Sequence, residues 1–312
     1  MSRLLFKLVI LVAIAGALFL LYRALSQYTL DEVVSSTTAI PAPRIAAAIG
    51  FAAGSYLCLT GFDWLAVRYA GKPLPWRRTA LASFTSLSIG HNIGIAALSS
   101  GAIRYRFYTR WGLGKADVAK VIVFCGLTVG LGLSTLGAIG LLLYPAEAER
   151  MMAIDGAALT ALAVACLAIP AIYLVLAAFM RKQLRFREWT LELPSLPIAA
   201  GQVAIGTVNF AFVAACLHQL LLAFSPVAYL KVAAVYVVAN VTAIVSHVPG
   251  GLGVLEAAVL YLLPQSSAIG ALVAFRVVYF FIPLALGVPM FVASEYALRD
   301  VEPPSQGSAT QP

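Results

Sequence analysis

Charged side chains are scarce in this chain of 312 residues, and their scarcity argues against most classes of soluble protein. Only 11% of the residues are Asp, Glu, Lys or Arg, whereas 62% are hydrophobic. Soluble domains carry about 25% charged and about 45–50% apolar residues. The composition therefore predicts a bundle of membrane-spanning helices. In so apolar a chain, the surplus of 21 basic over 13 acidic residues indicates membrane topology before it indicates nucleic-acid binding.

Cysteine is also scarce, and its placement excludes a disulfide scaffold or a zinc site. The four cysteines lie inside apolar runs, without a Cys-x-x-Cys pair or a Cys/His cluster, at Cys58, Cys125, Cys166 and Cys216. We interpret them as small packing residues. The motifs of serine hydrolases, zinc proteases and nucleotide-binding enzymes do not occur in a suitable context. We therefore predict no enzymatic activity, no catalytic residue, no metal and no cofactor.

Long apolar runs divide the sequence into predicted membrane segments. The sequence predicts an all-α integral membrane protein, a polytopic helical bundle over residues 1–298, with a disordered cytoplasmic tail over residues 299–312. The predicted segments are residues 8–25, 45–70, 80–100, 118–143, 157–180, 196–224, 229–247, 254–263 and 268–298.

The basic residues test which of these runs cross the membrane. The loops after runs 45–70 and 80–100 each carry four basic residues, although they would lie on opposite sides if both runs crossed. The centre of run 80–100 holds His91 and Asn92 between two glycines, which are poor helix formers at membrane depth. We therefore predict a re-entrant hairpin that enters from the cytoplasm and returns to it. The alternative is an ordinary span with a basic outside loop.

A second break follows run 229–247, at the sequence PGGLG over residues 249–253. The next run, 254–263, is about 15 Å long as a helix, which is half of the ~30 Å hydrocarbon core. These two runs predict a hairpin that enters from outside. Residues 45–143 and 196–298 then form inverted repeats, an arrangement found in many secondary transporters with the substrate site at the repeat interface.

Ionisable groups at membrane depth are costly, which makes them functional candidates. Arg276 lies about nine residues, or roughly 13 Å, into the last run, and Glu256 follows the glycine-rich break. We expect Arg276 to pair with Glu256, with a lipid phosphate through two parallel hydrogen bonds, or with both. A buried structural pair is the alternative. Gly250, Gly251 and Gly253 would offer backbone N–H groups to an anion at the start of a half-helix, or they form a plain hinge.

Two further groups of polar residues are candidates for substrate binding. His91 and Asn92, in the first break, would satisfy loose backbone groups or touch a polar substrate. Residues 101–111 interleave basic and aromatic side chains and include Arg104 and Arg106. Such a helix suits the headgroup layer, where both ordinary anchoring and specific lipid binding fit the pattern.

Three segments, SGAIRYRFY at 100–108, HVPGGLGVLE at 247–256 and RVVYFFIP at 276–283, resemble the signatures of one membrane family. This is the lysylphosphatidylglycerol synthase transmembrane-region family, and the resemblance covers nearly the whole chain. It implies movement or binding of phospholipids, with anionic lipids such as cardiolipin or phosphatidylglycerol as candidates. It also adds Tyr279, in the Arg-x-x-Tyr of the third segment, to the candidate binding residues. Some members carry an aminoacyl-transferase domain after the membrane part; here a dozen polar residues follow, so that activity is not expected.

These observations together predict a stand-alone transporter of the bacterial inner membrane, with both termini in the cytoplasm. It would move phospholipid between leaflets as a flippase or scramblase, and membrane phospholipids rather than nucleic acids are its predicted partners. Headgroups would enter between the two hairpins, where Arg276 and Arg104 bind phosphate and Glu256 competes for Arg276. The alternatives are an ion-coupled carrier of a small organic solute, with Glu256 as the coupling group, and a non-transporting membrane scaffold.

Overall fold

A computed structural model describes most of the chain after its first predicted span. The described residues are 31, 34, 38–93, 96–145, 149, 155–180, 183–186, 189–246, 253–263 and 268–297. The predictions for residues 8–25, for the tail 299–312 and for Gly250 and Gly251 lie outside them.

Almost all of the described chain is helical, which confirms the predicted all-α membrane fold. The helices are α1 Ala42–Tyr69, α2 Trp76–Ile93, α3 Ala96–Arg110, α4 Lys115–Leu143, α5 Gly156–Phe179, α6 Leu196–Leu221, α7 Tyr229–Ser246, α8 Val254–Leu262, α9 Ala268–Arg276 and α10 Ile282–Ala297. One π-helical turn, Val277–Phe281, joins α9 to α10. A small antiparallel hairpin between α5 and α6 pairs β1 Gln183–Phe186 with β2 Trp189–Glu192.

Five of the described helical stretches are long and apolar enough to cross a membrane, so the protein is a multi-span membrane protein. They are α1, α4, α5, α6 and the stretch Ile269–Ala297, which runs through the π-turn. Local signals set where several of them begin. Asp155 accepts a hydrogen bond from the Ala158 N–H at 2.7 Å and caps α5, and Asp117 accepts one from Gly114 at the start of α4.

The two predicted breaks separate short helices. Run 80–100 divides into α2 and α3. The two helices fold back on each other, as the hydrogen bond from the Ser99 hydroxyl to the Gly90 carbonyl at 3.3 Å shows. The returning helix continues past the expected end at residue 100, to Arg110. Run 229–263 divides into α7 and α8. That these hairpins are re-entrant, and that the two halves are inverted repeats, stay predictions.

Small residues let the long helices approach closely around the core. A Cβ atom built on Gly132 of α4 would lie 2.4 Å from the carbonyl carbon of Gly206 in α6. Small residues at such crossings permit backbone contact where lipid supplies no hydrophobic driving force. The buried Gln202 braces the same region, because its Nε2 donates to the Phe124 carbonyl at 3.0 Å and its Oε1 accepts from the Tyr173 hydroxyl. Close backbone contact and buried hydrogen bonds therefore hold α4, α5 and α6 together.

Candidate functional site

Arg276 and Glu256 form the ion pair that the sequence predicts. Arg276 Nε lies 2.8 Å from Glu256 Oε1, and Nη2 lies 3.0 Å from Oε2. The arginine side chain is 3% exposed and the carboxylate side chain 16% exposed. The guanidinium also lies over the ring of Phe280, with Cζ 4.8 Å from the ring centroid, a distance at which a cation and an aromatic face attract. The cation is thus enclosed, whereas its carboxylate partner retains access to the surroundings.

Glu256 is held in the first turn of α8 by the glycine that precedes the helix. Gly253 has a φ of +80°, a left-handed conformation that favours glycine. Its N–H donates to Glu256 Oε2 at 2.9 Å, so the carboxylate caps the electropositive start of the half-helix. Of the three glycines predicted to offer N–H groups, Gly253 therefore serves the carboxylate.

The π-turn follows Arg276 directly and places Tyr279 inside the bundle. The Tyr279 hydroxyl lies 2.8 Å from the hydroxyl of Ser55 in α1, which donates to Asn209 of α6 at 2.8 Å. The Tyr56 hydroxyl reaches the Tyr279 carbonyl at 3.4 Å. Single π-helical turns inside α-helices occur frequently at functional sites. This one is bonded directly to α1, and through Ser55 to α6.

His91 and Asn92 lie at the end of α2, against the π-turn. Asn92 Nδ2 donates to the Ser88 carbonyl at 2.8 Å and lies 3.5 Å from the Phe280 carbonyl. The His91 ring contacts the rings of Tyr56 and Phe280, each at 6.4 Å between centroids. The polar residues of the first break therefore touch the turn that carries Arg276.

A second bidentate pair lies between α1 and α3. Arg104 donates through Nε and Nη2 to the two carboxylate oxygens of Asp63, both at 2.8 Å, and through Nη1 to the Ser100 hydroxyl at 3.0 Å. The Tyr108 hydroxyl donates to Asp63 at 2.6 Å. The arginine is 4% exposed and the aspartate fully buried. Arg104, a predicted phosphate ligand, thus has its hydrogen bonds directed to protein groups.

Glu295 of α10 lies between two arginines of α3, a contact that the sequence did not predict. Arg106 donates to both of its carboxylate oxygens, and Arg110 does so at 3.1 and 3.0 Å. Glu295 is 1% exposed, and each arginine is about one-fifth exposed. The cluster keeps one positive charge in surplus, in the helix that the sequence assigns to the headgroup layer.

The structure therefore gathers some predicted site residues and separates others. Those that meet around the π-turn are Gly253, Glu256, Arg276, Tyr279, His91 and Asn92. Arg104 and Arg106 lie apart from this group on α3, where Arg104 pairs with Asp63 of α1 and Arg106 with Glu295 of α10. The ring of Phe280, which sequence reasoning did not single out, joins Arg276 to His91. Among the described residues, no three His, Cys, Asp or Glu side chains lie close enough together to hold a metal ion.

Comparison with known proteins gives consistent matches along nearly the whole chain. The family model described as "Lysylphosphatidylglycerol synthase TM region" matches residues 7–287. The uncharacterized protein slr0712 of Synechocystis sp. (strain ATCC 27184 / PCC 6803 / Kazusa) is 34% identical over 266 residues, 83% of this chain and 82% of that protein. The inner membrane protein YbhN of Escherichia coli (strain K12) is 31% identical over 255 residues, 80% of this chain and 79% of that one. The family match includes Glu256 and Arg276 and ends before Glu295.

Proposed function

Because this chain belongs to the lysylphosphatidylglycerol synthase transmembrane-region family, we propose that it moves phospholipids with an anionic phosphate headgroup between the leaflets of a bacterial inner membrane. The observation that carries the proposal is the Arg276–Glu256 pair, an enclosed guanidinium whose carboxylate partner is partly exposed. A guanidinium that grips a carboxylate with two parallel hydrogen bonds presents the same two donors to a phosphate. The pair is therefore suited to exchange one anion for another.

The proposed mechanism is a competition for Arg276. A headgroup phosphate enters beside the half-helix α8 and replaces Glu256 on the guanidinium, while the acyl chains stay in lipid. When Glu256 returns to Arg276, it displaces the phosphate and releases the lipid. No covalent bond is made or broken in this exchange, so the proposed role of the protein is transport and not catalysis. Arg104, whose donors already point at Asp63 and Ser100, is assigned to holding α3 in place.

Reconstitution in liposomes tests the proposal. The purified protein is incorporated with a lipid that carries a fluorescent label on one acyl chain, and an impermeant reagent then bleaches the label in the outer leaflet. The unmutated protein should move inner-leaflet lipid outward faster than protein-free liposomes allow. Arg276→Lys keeps the charge but loses the two-pronged grip, and it should lower the rate about tenfold, which corresponds to about 1.4 kcal/mol.

The matched control is Arg68→Lys, because Arg68 lies over the ring of Trp64 at 3.4 Å, away from the pair. It should leave the rate unchanged. An unmutated protein that moves lipid no faster than empty liposomes, or an Arg276→Lys variant that moves it at the unmutated rate, would contradict the proposal. Uptake of a small organic solute without lipid movement would favour the ion-coupled carrier. The absence of both activities would favour the scaffold.

Glu256→Gln tests the competition itself. With glutamine, the group that displaces phosphate from Arg276 loses its charge, so the lipid should be held longer. The rate should saturate at a lower mole fraction of labelled lipid and reach a lower maximum. A change in the maximum alone, at the same half-saturating mole fraction, would argue against exchange between the carboxylate and the phosphate.

The proposed orientation places both termini and the 99–117 segment in the cytoplasm. Single cysteines at positions 148 and 109, in a background without the four native cysteines, report it through an impermeant thiol reagent applied outside the cell. Position 148 should be labelled and position 109 spared. Labelling of both from outside would contradict the re-entrant hairpin.

A further inference from the structure

One polar atom near the π-turn has no partner. The Nδ1 atom of His91 is buried and, among the side-chain nitrogen and oxygen atoms of the described residues, is the one buried atom without a hydrogen bond. Leaving a buried donor or acceptor unpaired is unfavourable, and native structures contain few such atoms. An unpaired atom at this position therefore indicates a group that is satisfied by something other than the protein.

The surroundings of His91 connect it to Arg276. Its ring contacts those of Tyr56 and Phe280, and the Phe280 ring also contacts the Arg276 guanidinium, whose Cζ lies 4.8 Å from the ring centroid. Asn92 fixes this arrangement, since its amide reaches the Phe280 carbonyl. A molecule whose phosphate lies on Arg276 thus has His91 as a neighbour across one aromatic ring.

We propose that His91 Nδ1 forms a hydrogen bond with a hydroxyl group of the lipid headgroup whose phosphate Arg276 binds, so that His91 determines headgroup specificity. This inference rests on the proposed function. A hydroxyl both donates and accepts, so it satisfies Nδ1 in either tautomer of the neutral ring. It also enters an aromatic environment without bringing a second charge, whose burial would be costly. The ligand class is therefore a phosphodiester with a hydroxylated headgroup.

Two lipids that differ only in the headgroup hydroxyls test the assignment. Phosphatidylglycerol and phosphatidylmethanol, with identical acyl chains and label, each carry one phosphate charge, and only the first has headgroup hydroxyls. The unmutated protein should move phosphatidylglycerol about threefold to tenfold faster, the range expected for one neutral hydrogen bond. His91→Phe keeps an aromatic ring beside Tyr56 and Phe280 and removes the unpaired atom, so it should fold at least as stably.

In His91→Phe the rate for phosphatidylglycerol should fall to that for phosphatidylmethanol, which itself should not change. The matched control is His218→Phe, because the His218 ring also packs on a tyrosine, Tyr229, and its Nε2 bonds the Val227 carbonyl at 2.9 Å. It should keep the preference. Arg276→Lys, in contrast, should slow both lipids.

Each other outcome overturns the inference in a distinguishable way. An unmutated protein without a preference, or a preference that survives His91→Phe, excludes a hydroxyl on His91 while lipid movement stands. Equal slowing of both lipids by His91→Phe indicates a purely structural role. If His91→Phe slows phosphatidylethanolamine and not phosphatidylglycerol, His91 bonds a headgroup amine and not a hydroxyl. If the unmutated protein moves none of these lipids, the inference falls together with the proposed function.

Discussion

The Arg104–Asp63 and Arg276–Glu256 pairs are both bidentate, and they differ in what surrounds the carboxylate. Asp63 is fully buried on the long helix α1, where Arg104 and the Tyr108 hydroxyl together fill its oxygens. Glu256 lies on the nine-residue helix α8, is 16% exposed, and is bonded by Arg276 and a backbone N–H of its own turn. Of the two carboxylates, only that of Glu256 is accessible from its surroundings, which is what the proposed exchange with a phosphate requires.

We expect the largest loss in the free energy of unfolding when the buried Arg104–Asp63 pair is broken. Asp63→Asn leaves Arg104 charged and buried without its partner, and breaking a buried pair in this way costs about 3–5 kcal/mol. Thermal unfolding in detergent should show the loss. Asp155→Asn is the control, since Asp155 caps α5 at an exposed position where asparagine caps equally well. An Asp63→Asn variant as stable as that control would remove the distinction between the two pairs.

Glu256→Gln should be less destabilising than Asp63→Asn. The exposed part of the carboxylate gives Arg276 some access to polar surroundings once the charge is lost, so we expect a cost of about 2 kcal/mol, between surface and buried pairs. The measurement is the same unfolding assay, with both variants side by side. Equal costs would mean that Glu256 is as enclosed in solution as Asp63.

Tyr108→Phe tests how much the hydrogen bond from the Tyr108 hydroxyl contributes to holding Asp63. The Tyr108 hydroxyl donates to Asp63 at 2.6 Å, and a hydrogen bond to a charged group contributes about 1.5–3 kcal/mol. Because Arg104 still holds Asp63, we expect a loss near the lower end, about 1.5 kcal/mol, with unchanged lipid movement. Tyr105→Phe, at an exposed position on the same helix, is the control. Loss of transport in Tyr108→Phe alone would place the Asp63 pair in the transport mechanism.

We expect the smallest loss in the free energy of unfolding at Glu295, whose carboxylate pairs with two arginines. Arg110→Gln removes one of them, and Arg106 continues to pair with Glu295. Since Arg110 is partly exposed, the cost should be about 0.5 kcal/mol, as for surface pairs. A loss comparable to that of Asp63→Asn would show that Glu295 requires both arginines.

Much of the fold and one ion pair could be predicted from the sequence because few signals compete in an apolar chain. The long apolar runs predicted all five spans that the structure describes. The break around His91 and Asn92, which holds two glycines, predicted the separation of α2 from α3, and the PGGLG break predicted that of α7 from α8. Arg276 and Glu256 were paired because isolated charges at membrane depth need partners. The sequence did not predict that Asp63 pairs with Arg104, because the selection of one partner among several nearby arginines depends on tertiary packing.

Other features lacked a sequence signal or carried a weak one. Glu295 lies near the end of an apolar run, where a carboxylate is normally in the headgroup layer, so its burial between Arg106 and Arg110 depends on how α10 packs. The strands β1 and β2 lie in a basic connection where apolar and polar residues alternate, QLRF and WTLE, which is a strand pattern. The π-turn has no composition of its own, because Val, Tyr and Phe occur equally in α-helices.

That turn also determines how the last span tolerates changes in length. An α-helix rotates by about 100° per residue, so a deletion in the α-helical stretch between Phe281 and Glu295 would turn Arg276 and Glu295 relative to each other. Either Arg276 or Glu295 would then leave its partner. A π-turn holds an extra residue compared with an α-helical turn, so a deletion within Val277–Phe281 is absorbed by a return to α-helix. We therefore expect the span to tolerate the loss of one residue at this turn, with Arg276 and Glu295 still facing their partners.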